Sequence, residues 1–232
     1  MPAIPYHRVI AIDGPAASGK SSVAHELARK LGFIYVNSGA MYRAITWYVL
    51  ERGVDLRDKA AIAALVSATR LETDLVEKES RILVEGYDPA PHLRDVRVNE
   101  GVSLVSSVPR VREVLVVKMR AYAQAHDVVM EGRDIGSVVF PGTPYKFYVD
   151  ASPEIRSCRR AAQGQADQID ARDRADSSRR DSPLTVASDA RVIDSSNLSI
   201  EGVVGEILSQ LRARGLRVAR ALAGSQGSAP SP

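Results

Sequence analysis

The 232-residue chain has one cysteine, Cys158, so an intrachain disulfide cannot form and metal binding through thiolates is excluded. A lone free thiol suits a reducing interior, and a cytoplasmic protein is expected. No uninterrupted apolar run approaches the roughly 18 residues of a membrane span, and Met1-Pro2-Ala3-Ile4-Pro5 lacks the charged and apolar regions of a leader. No membrane partner is therefore expected. Aromatic residues make up only 5% of the chain, and the four histidines show no metal-ligand spacing. Arginines outnumber lysines 25 to 6, but they alternate with aspartates and the net charge is only +3. A basic surface interleaved with aromatics is missing, so no nucleic-acid partner is expected. The Asn-Lys-x-Asp signature of guanine recognition is missing too.

What is present is more specific. Gly14, Pro15, Ala16, Ala17, Ser18, Gly19, Lys20 and Ser21 fit the phosphate-binding pattern G-x-x-x-x-G-K-[ST]. Ahead of them residues 9–12 form a β-branched apolar run of the kind buried in a parallel sheet. Behind them Val23, Leu27 and Leu31 recur at helical spacing, and Gly32 stands where a left-handed cap is wanted. Strand, glycine loop and helix occur in the order that points backbone N–H groups and a helix dipole at an anion. A bound nucleoside triphosphate is expected, with Lys20 on the β and γ phosphates and the Ser21 hydroxyl as a ligand of Mg²⁺. Ser22 completes the loop and reads as structural.

Strand and helix then alternate, which predicts one α/β unit with a parallel sheet covered on both sides. Strands are expected over 33–36, 127–130, 147–149 and 192–193, and helices over 41–50, around Ile62, Leu65 and Val66, from Pro109 with Val111, Val114, Leu115 and Met119 on one face, and over 200–220. Residues 71–76 and 82–87 change period and predict an antiparallel hairpin, the start of an insert that continues through Val96-Arg97-Val98. Between Asp167 and Asp181 lie five aspartates and four arginines with almost no large apolar residue. Such a segment cannot join a core, and a lid closing over phosphates is expected there. The Ala, Gly, Ser and Pro tail 223–232 is expected to be disordered.

Several segments in order carry a resemblance. Asp13-Gly14-Pro15 onward, Asn37-Ser38-Gly39-Ala40-Met41-Tyr42-Arg43, Glu131-Gly132-Arg133-Asp134-Ile135-Gly136 and Arg172-Asp173-x-x-Asp176-x-x-Arg179 together resemble bacterial cytidylate kinases. Ser103 through Arg112, Val139-Phe140-Pro141 and Ile193-Asp194-Ser195 add to the likeness, which runs from about residue 9 to 211. It implies a P-loop NTPase-like three-layer α/β/α fold with a parallel five-stranded sheet, a monophosphate-binding insert containing a small antiparallel sheet, and a lid. The corresponding division is a core of 7–36, 124–160 and 185–222, a monophosphate region of 37–123 and a lid of 161–184.

The resemblance also implies an activity, transfer of the γ-phosphoryl group of ATP to CMP or dCMP with Mg²⁺, and a monomer is expected. It places Ser38 and Arg43 on the acceptor nucleotide and Ser103, Arg112 and Asp134 on cytosine. That set suits a base whose amino group donates and whose O2 and N3 accept. Arg133 and Arg179 match arginines on the acceptor phosphate, Arg172 and Asp176 match lid residues near the sugar, and Arg156 and Arg160 match helix arginines on the ATP side. Lys20, Arg133, Arg172 and Arg179 form the implied catalytic set. The sequence departs from the family pattern at Asn37, usually Asp, and in a short stretch between Arg160 and Arg172. Two other classes are open to the residues alone. One is a P-loop kinase of a small-molecule alcohol with Asp134 or Glu131 as base, the other a non-enzymatic P-loop regulator binding RNA.

Overall fold

The computed structural model describes residues 6–162, 173 and 184–216. Seven strands form one sheet in the order β3-β4-β2-β5-β1-β6-β7. Five of them, β2 (Ile34–Asn37), β5 (Val128–Gly132), β1 (Val9–Asp13), β6 (Tyr145–Asp150) and β7 (Arg191–Asp194), run parallel, as expected. Their alternation divides the core. Ile10, Ile12, Val129, Phe147 and Val149 face α1 (Lys20–Leu31) and α7 (Ile200–Ala213). Val9, Ala11, Val36, Val128 and Met130 face α2 (Ser38–Glu51), α3 (Lys59–Ala68) and α5 (Pro109–Ala125). All five residues of β1 are buried, and the first four, Val9 to Ile12, are accordingly apolar without alternation, while the fifth is Asp13.

Helix α1 docks through Val23 and Leu27, spaced to share one face, and ends at Gly32 with φ 71°. Leu27 has no exposed surface, so its truncation to Ala should cost about 2–5 kcal/mol. In α5 Val111, Leu115 and Met119 of the predicted stripe are buried, Val114 is half-buried, and Arg112 is buried beside them.

The hairpin differs from expectation. β3 (Leu71–Val76) is as predicted, but β4 covers Glu79–Val84, because the chain reverses in two residues, Glu77 and Lys78, both left-handed with φ 51° and 67°. That turn matches strand twist but normally calls for Asn or Gly, so the sequence carried no signal for it. The pair also adds to the main sheet, β4 lying parallel to β2 at Tyr35 and Glu79, and does not form a separate small sheet. Val96-Arg97-Val98 opens a helix, α4 (Val96–Ser106). Helix α2 starts directly at Ser38, three residues before the expected point, because the Asn37 side chain accepts from the Ala40 N–H at 2.9 Å and caps it. The final helix stops at Ala213 and turns at Gly215. The expected lid, apart from Asp173 and its flanks at 161–162 and 184, and the expected tail lie outside the described residues.

Candidate active site

The phosphate loop leaves β1 under tight constraint. Gly14 has φ 155°, and a Cβ there would come 2.1 Å from the Val149 carbonyl oxygen, so only glycine fits. Ala17 and Gly19 take positive φ, 58° and 88°, turning successive amides toward one side at the head of α1. Lys20 Nζ donates to the Pro15 carbonyl at 3.1 Å and stands 4.0 Å from Glu131 Oε2. The far arm of the loop is held from α6 (Pro153–Ala162) and from the end of β7. Arg159 and Ser195 both donate to the Ser18 carbonyl, at 3.2 and 2.8 Å, and Arg159 also donates to the Ser195 hydroxyl and carbonyl at 3.0 and 2.7 Å.

Glu131, at the end of β5, is the buried hub of the centre. Its Oε1 accepts from the Ser21 hydroxyl at 2.8 Å and from the Tyr35 hydroxyl at 3.3 Å. Asn37 Nδ2 donates to Tyr35 at 3.2 Å, and the Ser38 hydroxyl donates to the Glu131 carbonyl at 2.7 Å. The carboxyl ends of β2 and β5 are thereby tied to the starts of α1 and α2, at the place where open parallel sheets bind ligands.

Two clefts meet here. One, the smaller, is lined by Ser38, Arg43, Ser103, Arg112, Arg133 and Asp134 together with Lys20, Ser21 and Glu131. Every described residue that the sequence assigned to an acceptor nucleotide lies on its wall. The other, larger cleft is lined by Ala16, Ala17, Ser18, Gly19, Lys20 and Ser21, by Arg159, Arg160 and Ser195, and by the apolar Leu198, Ile200 and Val203. Lys20, Ser21, Arg43 and Arg133 line both.

The electrostatics of this junction favour an anion. Burial pushes the Arg43 guanidinium below its ordinary value, Glu131 acts against that, and neighbouring Arg133, Arg160 and Arg94 reinforce it. Cations crowded into a half-buried site gain by taking up negative charge. In the first cleft Arg112 and Asp134 form a buried ion pair, with Arg112 also over the Tyr42 ring at 5.7 Å.

Gly14, Pro15, Ser22 and Arg156 line neither cleft. Arg156 lies beneath the phosphate loop, donating to the carbonyls of Ala151 at 3.2 Å and Ala16 at 3.3 Å and pairing with Asp173. Asp173 in turn accepts from the Ala16 N–H at 3.1 Å, which places this one residue of the charged segment against the loop. Arg172, Asp176 and Arg179 lie outside the described residues. The sequence reading gave no role to Arg159 and Ser195, and treated Glu131 only as an alternative base. The contacts that reveal them span 110 to 177 residues of chain. Among the described residues no group of three or more His, Cys, Asp or Glu side chains could hold a metal unaided.

The family model "Cytidylate kinase" matches residues 10–213. The chain belongs to the cytidylate kinase family. A cytidylate kinase of Pelotomaculum thermopropionicum is 44% identical over 217 residues, covering 88% of this chain and 96% of that protein. Those of Caldanaerobacter subterraneus subsp. tengcongensis and Geobacillus kaustophilus are 40% and 41% identical, each over 88% of this chain and over 94% and 96% of the relative. The match spans both clefts and the helices carrying Arg112 and Arg159, so the cytidylate kinase assignment covers the whole candidate centre and not the phosphate loop alone. No described helix is long and apolar enough to cross a membrane.

Proposed function

We propose that this cytidylate kinase family member moves the γ-phosphoryl group of ATP to CMP or dCMP, giving ADP and CDP or dCDP. The observation that carries the reading is the wall of Lys20, Ser21, Arg43 and Arg133 shared by two clefts, one built on the phosphate loop and one on a Ser, Arg and Asp set suited to cytosine. A donor in the larger cleft and an acceptor in the smaller would meet at those cations.

The reaction needs no general base. The acceptor phosphate, with a second pKa of about 6, is largely a dianion at neutral pH and is already a nucleophile. Its oxygen bonds to the γ phosphorus as the bond to the leaving β-phosphate oxygen breaks. What the protein supplies is position and compensation for several negative charges brought together. Lys20 would follow the transferring group, Arg43 and Arg133 would hold the acceptor phosphate, and Arg159 and Arg160 would face the donor. Ser38 would orient the acceptor nucleotide. Ser103, Arg112 and Asp134 would read the base, the carboxylate taking the amino group of cytosine. By resemblance, Arg172 and Arg179 would bring further charge and Asp176 would reach the sugar.

Mg²⁺ fits the residues present. Ser21 and Glu131 offer hard oxygen donors 2.8 Å apart beside Lys20, a set suited to an ion that keeps several waters and phosphate ligands. When bound it would supply charge neutralisation across the phosphates. The alcohol-kinase alternative loses ground because the family model and the relatives named above are cytidylate kinases.

The division into core, monophosphate region and lid given above is the arrangement we propose, in a cytoplasmic monomer. The test is a coupled assay with ATP, Mg²⁺ and a panel of nucleoside monophosphates. CMP and dCMP should turn over fastest, UMP more slowly, and AMP and GMP poorly. Faster turnover of AMP than CMP would remove Ser103, Arg112 and Asp134 as a cytosine reader.

A further inference from the structure

We propose that Asp13 is a positioning residue that sets the acceptor-side loop against the phosphate loop, an inference that rests on the reading of Arg133 given above. The paired ladder between β1 and β5 ends at Asp13 and Gly132. Beyond that point the two chains diverge, one into the phosphate loop and the other into Arg133 and Asp134, with no further backbone ladder to hold them in register. Asp13 takes over that task. Its carboxylate is buried, with Oδ1 accepting from the Ile135 N–H and Oδ2 from the Gly136 N–H, both at 2.8 Å. Those two amides open the π-helical turn Ile135–Val139 that follows Arg133 and Asp134 directly. The tie is returned by Arg133, whose Nη1 donates to the Gly14 carbonyl at 2.8 Å. Residues 13–14 and 133–136 thus exchange three hydrogen bonds across the seam of the two clefts.

An ionisable group is a costly choice for a buried site, since taking a carboxylate out of water is unfavourable. The amide donors explain the choice. Two convergent N–H groups need an acceptor with two equivalent oxygens, and an asparagine of the same shape would turn its NH₂ toward one of them. The far arm of the phosphate loop is held independently, by Arg159 and Ser195 on the Ser18 carbonyl. Loss of Asp13 should therefore fall on the acceptor side.

The experiment is steady-state kinetics of Asp13→Asn, Arg133→Ala and the double variant at about pH 8.5, where the Asp13 carboxyl is ionised, with CMP and ATP varied separately. For Asp13→Asn, kcat/KM for CMP should fall about tenfold or more, while KM for ATP stays within about threefold. In the double variant the loss should be close to that of Arg133→Ala alone, because both act through one loop. Arg133→Ala with normal kinetics would overturn the reading of Arg133 itself. Impaired Arg133→Ala beside normal Asp13→Asn, equal losses toward ATP and CMP, or fully additive losses would overturn the proposal for Asp13. Should Asp13→Asn fail to fold, Gly136→Ala approaches the same contact from the other side, since its Cβ would stand 3.3 Å from Asp13 Oδ2 and 3.2 Å from the Lys146 stem, whose flexible chain can give way. It should show the same split between CMP and ATP, and normal CMP kinetics would overturn the proposal.

Discussion

Lys20 Nζ lies 4.0 Å from Glu131 Oε2, and both side chains are under a tenth exposed. Lys20 lines both clefts and Glu131 the first, so on the proposed reading the charge that would travel with a phosphoryl group is held in place by the end of β5. Lys20→Ala should lower kcat by about a hundredfold or more, because it removes a preorganised cation at the point where charge moves. Binding of CMP, measured by calorimetry, should change little. A comparable loss of CMP affinity would place Lys20 on the acceptor and not on the transferring group.

Arg112 and Asp134 compensate one another in a buried position, each side chain 7% exposed. Removing one partner leaves the other charge buried and alone, at a cost of about 3–5 kcal/mol. Arg112→Ala and Asp134→Ala should each lower the urea midpoint and weaken CMP turnover. The double variant should lose less stability than the two single variants summed. Additive losses would show that the pair is not coupled.

Gly14 bears on stability and binding together. An added Cβ would strike the Val149 carbonyl at 2.1 Å, on a backbone with φ 155° that L-residues rarely adopt. Gly14→Ala should destabilise the fold by about 2 kcal/mol or more and weaken ATP binding, as read by thermal melting with and without ATP. A melting temperature equal to that of the wild type would contradict the close approach of β1 and β6.

Burial pushes the Asp13 carboxyl up to about 7, with the Gly136 and Ile135 amides and Arg133 acting in the opposite direction and Asp134 adding to the rise. A carboxyl whose value rises on folding stabilises the fold fully below its unfolded value near 3.8, and that contribution is lost as pH rises through about 7. The unfolding free energy of the wild type relative to Asp13→Asn should therefore drop between about pH 4.5 and 7.5, by about 1 kcal/mol or more. Urea titrations of both proteins at several pH values measure it. A constant or rising difference would show that Asp13 is ionised throughout.

The sequence by itself determined the phosphate loop, since strand, glycine turn and helix are contiguous and each is fixed by local sterics and hydrogen bonding. It also determined the five parallel strands, through short apolar runs with turn residues between them, and its ordered motifs singled out Ser38, Arg43, Ser103, Arg112, Arg133 and Asp134, the set proposed for the acceptor, which the structure brings to one cleft. Tertiary structure alone decided the rest. The hairpin register turned on left-handed Glu77 and Lys78, residue types that do not announce such a turn. Of three nearby arginines on α6, Arg156 packs under the phosphate loop while Arg159 and Arg160 face the cleft, a choice made by how the helix rotates against the loop. Glu131, Ser195 and Asp13 act through partners more than a hundred residues away. Those contacts depend on which strands lie side by side, and a linear pattern records the strands without recording their order.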